Sequence, residues 1–261
     1  MRIDSHAHGH ASNLKGDPAE YVAQRKAEGI DAIVLIADPA PLFESVDRMG
    51  SFIIPVAIVD IDRSSPDEIH QLLDRGALGI KFICPQHPYG DERYHPLYEA
   101  IKERDRVAVF HTGYLMHTPD YSPKHRVKLD DMRTWHIDTI QRWVPHLRVL
   151  MAHFGNPLWE ECWKIAWAHA TVYADLSGGT AIHRSMTMWR EMFAPNGELM
   201  EECLGKLCFG SDTSYFGETH HFGKYIDFHD RLFDEVGAPP ALREQVNAGN
   251  ILSLFGIEES G

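Results

Sequence analysis

Short apolar runs alternate with helical segments along this chain, and no two runs are joined by a hairpin turn. The runs begin at Ile3 and continue at 32–37, 52–59, 77–83, 107–110, 149–152, 171–176 and 207–210. Ala-Ile-Val-Leu-Ile-Ala at 32–37 is apolar throughout, the mark of a strand buried on both faces. Helix signals fill the gaps. Asp17-Pro18 supplies a cap and a first-turn proline for a helix closed by Gly29, and Ser65-Pro66-Asp67-Glu68 is a capping box whose helix ends at Gly76. Further helices are expected at 41–49, 96–104, 131–144, after a cap at Asn156, across 181–203, and at 225–236 and 240–247, with a short turn at 250–255. Strands without hairpins must run parallel and connect by crossovers, as an open doubly wound sheet or a closed barrel. No Gly-x-Gly-x-x-Gly follows any run, so the dinucleotide-binding open sheet loses its main support. Eight strand–helix units in 261 residues fit a single-domain (β/α)8 TIM barrel, a fold of typically about 250 residues.

In such a barrel every strand's C-terminal end opens on one face. The polar residues at those ends are His6 and His8, Lys81, His111, His153 and Asp212. Two residues apart on a strand, His6 and His8 point the same way, and a pair of imidazoles is two-thirds of a three-ligand metal site. Singly, each has an innocent reading: a His-x-His as a surface cluster, a buried His as a hydrogen-bonded core residue, Lys81 as the partner of a buried carboxylate. Their shared register changes the balance, because positions two hundred residues apart converge on one mouth. The 113–130 stretch is a long polar loop of the kind that carries function. On or near it Tyr114, His117, Lys124, Arg126 and Arg133 are either substrate contacts for an acidic molecule or a solvated surface; Tyr114, Arg126 and Arg133 are the favoured substrate-binding residues.

A net charge of −13 argues against nucleic acid and against an anionic membrane surface as partners. The expected partner is a small-molecule substrate, with homo-oligomerisation left open. Cys84, Cys162, Cys203 and Cys208 lack Cys-x-x-Cys spacing and read as free thiols of a reducing compartment. With no apolar leader and no run of about 18 apolar residues, the expected location is cytoplasmic.

Asp-Ser-His-Ala-His (4–8), Gly-Ile-Lys (79–81), Phe-His-Thr-Gly (110–113), Ala-His-Phe-Gly (152–155) and Phe-Gly-Ser-Asp (209–212) together resemble the signature set of the amidohydrolase superfamily. The closest likeness is to its amidohydrolase-related (amidohydrolase 2) branch of bare, distorted barrels, whose usual ending Gly-Asn-x-x-x-Leu-Phe is matched at 249–255. By that resemblance His6, His8 and Asp212 bind a divalent metal, most often zinc, and Asp212 passes the proton of a metal-activated water to the leaving group. In the one-metal pattern His111 completes the sphere, and His153 polarises the substrate or moves protons. In the two-metal pattern Lys81 becomes a bridging carbamate, and His111 and His153 hold the second ion. Two departures stand out: Asn156 occupies a position where a second Gly is common, and the loop after Asp212 lacks the usual Pro.

The resemblance implies a metal-dependent hydrolase acting on a small amide, lactone or ester, and the lysine on strand four tips the balance that way. The competing enzyme class is a metal-dependent, non-oxidative decarboxylase of a small unsaturated or aromatic acid. A non-catalytic ligand-binding barrel is the reading from another class; the full complement of ligand-type residues speaks against it.

Overall fold

Parallel pairing in chain order builds the whole sheet. The computed structural model describes residues 1–115, 127–217 and 220–258. In it β1 (Ile3–His8), β2 (Ala32–Ala37), β3 (Ile53–Ile58), β4 (Gly79–Phe82), β5 (Val107–His111), β6 (Arg148–Ala152), β7 (Val172–Asp175) and β8 (Leu207–Cys208) each pair with the next. A further short strand, β9 (Thr213–Ser214), pairs with β1 in parallel. β8 and β9 are two halves of one extended stretch. Across the break, Ser5 N donates to Phe209 O (2.8 Å), Asp212 N to His6 O (2.8 Å) and Tyr215 N to His8 O (2.7 Å). The stretch therefore joins β7 on one side to β1 on the other and closes the barrel, as the alternation predicted. Its interruption is the distortion: Asp212 sits at φ +59°, outside any strand conformation.

Helices α1 (Pro18–Ala27), α2 (Pro39–Met49), α3 (Pro66–Asp74), α4 (His95–Glu103), α5 (Trp135–Trp143), α6 (Trp159–Ala168), α7 (Met186–Phe193), α8 (Glu201–Leu204), α9 (Phe222–Val236), α10 (Pro240–Glu244) and α11 (Asn250–Phe255) make the crossovers and the C-terminal segment. The caps read from sequence form. Asp17 accepts from Ala19 N (2.9 Å) and Ser65 from Glu68 N (3.2 Å). Three expectations change. The helical region at 181–203 is broken, because Ser185 caps a new start and Pro195-Asn196-Gly197 turns the chain before α8. Asn156 caps nothing: α6 begins at Trp159, and the Asn156 side chain goes to Thr180 instead. The closing turn at 250–255 is a helix, α11.

Alternation along the strands sorts the core into two clusters. Val34, Ile36, Ile54, Val56, Val107, Val109 and Leu150 pack with Ile251, Leu254 and Phe255 of α11. Their strand neighbours Ile33, Leu35, Ile80, Phe82, Ala108 and Phe110 pack with the surrounding helices. The first set is the barrel interior, and α11 plugs its N-terminal end. There Arg148, the first residue of β6, donates to the Ser253 and Leu254 carbonyls (3.2 and 2.9 Å). Each fully buried Leu or Ile contributes about 1.5–3 kcal/mol. The same two-residue period carries the interior face up to Ile58, Lys81 and His111 at the opposite end. β1 needs a correction to keep pace. A register shift between Asp4 and Ala7 moves His6 and His8 onto the interior face that Ile3 occupies below.

Gly113 locks the loop after β5 against the loop after β6. At φ +87°, a Cβ there would lie 2.2 Å from Asn156 O and 2.6 Å from Asn156 N, both backbone atoms. Gly113→Ala is expected to cost about 3 kcal/mol or more, combining left-handed strain with a clash that no side chain can relieve. Urea unfolding of the variant checks this.

Candidate active site

Interior-facing strand ends bring the sequence-chosen residues together at one mouth. His6, His8, Lys81, His111, His153 and Asp212 all line one cavity of about 470 Å3, with Tyr114 at its edge. Ring centroids are 5.1 Å apart for His6 and His8, 4.7 Å for His6 and His153, and 4.7 Å for His111 and His153. One ligand atom each from His6, His153 and Asp212 can be chosen so that all lie within 4.8 Å of one another. His8 Nε2 approaches Asp212 Oδ1 at 3.2 Å, and His6 Nε2 the same oxygen at 3.7 Å.

The other ring nitrogens decide what these imidazoles offer. His6 Nδ1 donates to Asp175 Oδ2 (3.3 Å), His8 Nδ1 to the Ile36 carbonyl (3.0 Å), and His153 Nδ1 to the Ser177 carbonyl (3.1 Å). A carboxylate and two carbonyls can only accept, so each Nδ1 carries the hydrogen and each Nε2 presents a lone pair. Burial holds His6, His111 and His153 below the ordinary imidazole range, His6 down to about 3 with the Lys81 charge as the next cause. They are therefore neutral at pH 7. Burial pushes Asp212 up, but its contact with the His8 ring and the neighbouring His6 and His153 outweigh it and hold its carboxyl below the ordinary range, so Asp212 stays a carboxylate. Neutral lone pairs and a carboxylate crowded within 5 Å repel one another unless a cation lies between them. The donor set thus fits a divalent metal, with imidazole and carboxylate ligands suited to zinc.

Two more polar atoms face this space without a protein partner among the described residues: Lys81 Nζ and His111 Nε2. Lys81 is 2% exposed, and desolvation draws its ammonium down to about 8.

Asp175, at the end of β7, escaped the sequence reading. It is fully buried and accepts from His6 Nδ1, from His153 N (2.9 Å), from Ser177 N (3.0 Å) and from the Ser177 hydroxyl. Its pKa lies below the ordinary carboxylate value, because these bonds and the neighbouring imidazoles outweigh burial. The signal was present: Asp175 is the one acidic residue of the seventh apolar run, next to its end at Leu176. Asp4 was quoted in a motif but given no work. It is fully buried and accepts from Ser211 N (2.9 Å), Ser211 Oγ (2.5 Å), Tyr215 OH (2.9 Å) and His6 N (3.1 Å). Asp4 thereby ties β1 to the segment carrying Asp212, and burial raises its carboxyl to about 6.

The favoured substrate contacts separate. Tyr114 is 56% exposed and lines both the main cavity and a neighbouring one of about 260 Å3. Arg133 lines only the neighbouring cavity, paired with Glu161 (2.5 Å) and Asp130 (3.2 Å). Arg126, with His117 and Lys124, lies outside the described residues. All four cysteines are free thiols. No helix among the described residues is long and apolar enough to cross a membrane.

Comparison with known proteins agrees with this architecture. The chain superposes on an uncharacterized TIM-barrel protein from Bordetella bronchiseptica with a TM-score of 0.67 at 16% identity, covering 98% of this chain and 99% of that one. A 5-carboxyvanillate decarboxylase from Sphingomonas paucimobilis gives 0.64 at 12% identity, covering 99% of both chains. A dihydroxybenzoic acid decarboxylase from Polaromonas, solved with bound manganese, gives 0.61 at 14% identity, covering 98% of this chain and 96% of that one. At these identities the likeness shows the TIM-barrel fold. No curated protein sequence matches the chain. The sequence profile described as amidohydrolase matches residues 3–257, from the first strand through the last helix. This chain belongs to the amidohydrolase family of metal-dependent enzymes.

Proposed function

We propose that the protein is a metal-dependent hydrolase that uses one divalent cation to cleave a small amide, ester or lactone. One observation supports this most: His6 and His8, each with Nδ1 fixed on an acceptor, bring Nε2 within 3.7 Å of Asp212 Oδ1, and His153 places a ligand atom within 4.8 Å of one from His6 and one from Asp212. His6, His8, His153 and Asp212 would hold the cation, and zinc suits them. When bound, it supplies Lewis acidity and brings a water's pKa near neutrality. Asp212, ionised and at the head of the cavity, accepts the attacking water's proton and returns it to the leaving group. His111, buried with a free Nε2, faces the substrate beside His153. Lys81 stays uncarbamylated, and its ammonium meets negative charge on the substrate or on the oxygen that develops it.

Decarboxylation is the second reading, favoured by the apolar wall of Ile58, Ile83 and Leu115 facing these polar groups, a surface that suits an unsaturated acid. Protein purified without chelators is expected to carry one equivalent of metal and to lose activity on chelation, with recovery on re-addition. Two equivalents together with a carbamate carbon on Lys81 would replace the one-metal site with a bridged pair. In H2-18O a hydrolase places the heavy oxygen in its product, whereas in D2O a decarboxylase places deuterium on carbon. Activity that survives complete metal removal would sink both.

A further inference from the structure

Asn156 is a polar side chain of the cavity that the chemistry above leaves unused. It follows the turn that carries His153 and is 7% exposed. Its backbone is clamped, with Asn156 N donating to His153 O (3.0 Å) and Tyr114 N donating to Asn156 O (2.6 Å). The Thr180 hydroxyl donates to its Oδ1 (3.1 Å), which orients the amide. Nδ2 then makes no hydrogen bond within the described residues, although Asn156 lines the metal-site cavity. Gly179, at φ +57°, leaves room for this amide, because a Cβ there would lie 2.4 Å from Nδ2. An amide donor that lines the cavity and has no protein acceptor is open to an oxygen of the ligand. Lys81, whose Nζ is buried and makes no hydrogen bond among the described residues, lines the same cavity with Ile58, Ile83 and Leu115.

We propose that Asn156 is a specificity residue whose amide donates to the substrate, and that the substrate is a small organic acid bearing a second oxygen acceptor. Its carboxylate meets Lys81, its second oxygen meets Asn156, and its carbon skeleton lies on the apolar wall. Only the question of which end reacts rests on the hydrolase reading. A glycine at position 156 would leave the second oxygen unmatched, so this residue separates acids with two polar ends from acids with one.

Calorimetric titration of the zinc-loaded protein tests this with four matched pairs: malonate and propionate, succinate and butyrate, glutarate and valerate, adipate and hexanoate. At least one diacid is expected to bind about tenfold or more tighter than its monoacid, the worth of one hydrogen bond to a charged acceptor. Asn156→Ala should bring that ratio close to one while leaving monoacid affinity within about twofold. Thr180→Val, which releases the amide without removing it, should lower the ratio part of the way and serves if the alanine variant does not fold. Lys81→Met should weaken both members of each pair. A wild-type ratio near one in all four pairs, or a ratio unchanged by Asn156→Ala and by Thr180→Val, overturns the proposal. Failure of the wild-type protein to bind zinc would instead overturn the metal-dependent reading, and the ratios would then be read on the metal-free protein.

Discussion

Asp212→Asn is expected to lower turnover by about a thousandfold, the upper part of what a positioned acid–base group contributes. The substitution isolates chemistry from shape. Asp212 has φ +59°, a conformation that Asn tolerates as well as Asp does, so the break between β8 and β9 should survive. Its backbone amide still donates to His6 O, and barrel closure is unaffected. What disappears is the negative charge. An amide can neither accept the water's proton nor balance a dication, so residual activity at saturating metal measures proton transfer alone. The test is kcat with zinc in excess, alongside thermal unfolding to show an intact fold. Turnover within a few fold of wild type would remove Asp212 from proton transfer.

Asp175→Asn should act through His6, without touching substrate. In the native site Asp175 Oδ2 accepts from His6 Nδ1, while Oδ1 accepts from His153 N, Ser177 N and the Ser177 hydroxyl. The Asn carbonyl must take the three donors, which turns its NH2 toward His6 Nδ1. His6 then has to accept at Nδ1 and carry its hydrogen on Nε2, the wrong tautomer for a ligand. Metal affinity is expected to fall by about 10- to 100-fold, the usual effect of losing such a support. The 15N shifts of His6 should report the exchange of tautomers. An unchanged affinity with His6 still protonated at Nδ1 would refute the mechanism.

The same variant carries a pH signature. Asp175 has a folded pKa below the ordinary carboxylate value, so in acid the unfolded chain binds its proton first. Its stabilisation is fully present above about pH 5, beyond the unfolded pKa of about 4, and is lost as pH falls toward the folded value. Metal-free wild type should therefore exceed Asp175→Asn by about 3 kcal/mol at neutral pH, a gap that narrows below about pH 4. Urea unfolding across that range measures it.

Much of the site was legible in the sequence because strand ends are legible. His111, His153 and Asp212 each follow a short apolar run, and a parallel barrel must deliver them to one face. Lys81 follows from the same alternation along β4. Asp175 obeys the same rule, but its role as a support depends on His6, 169 residues away, a contact that no local pattern encodes. Arg133 lies just past the expected loop, yet Glu161, 28 residues away, joins Asp130 in holding it beside the neighbouring cavity, and that longer pairing is one no local pattern encodes.

Local chemistry in the chain thus determined the parallel barrel, the face on which the site opens, and the residue types able to hold a metal. Those depend on nearest-neighbour periodicity, caps and turn residues, which act within a few positions. The tertiary structure alone decided which nitrogen of each imidazole is free, because the deciding acceptors are Asp175, the Ile36 carbonyl and the Ser177 carbonyl, on other strands or loops. It also decided that Asn156 turns a donor into the cavity instead of capping α6. The His6-x-His8 pair marks both limits. Its spacing sets two rings on one face, but only the bulge between Asp4 and Ala7 turns that face inward, and only the burial that closure brings keeps His6 neutral.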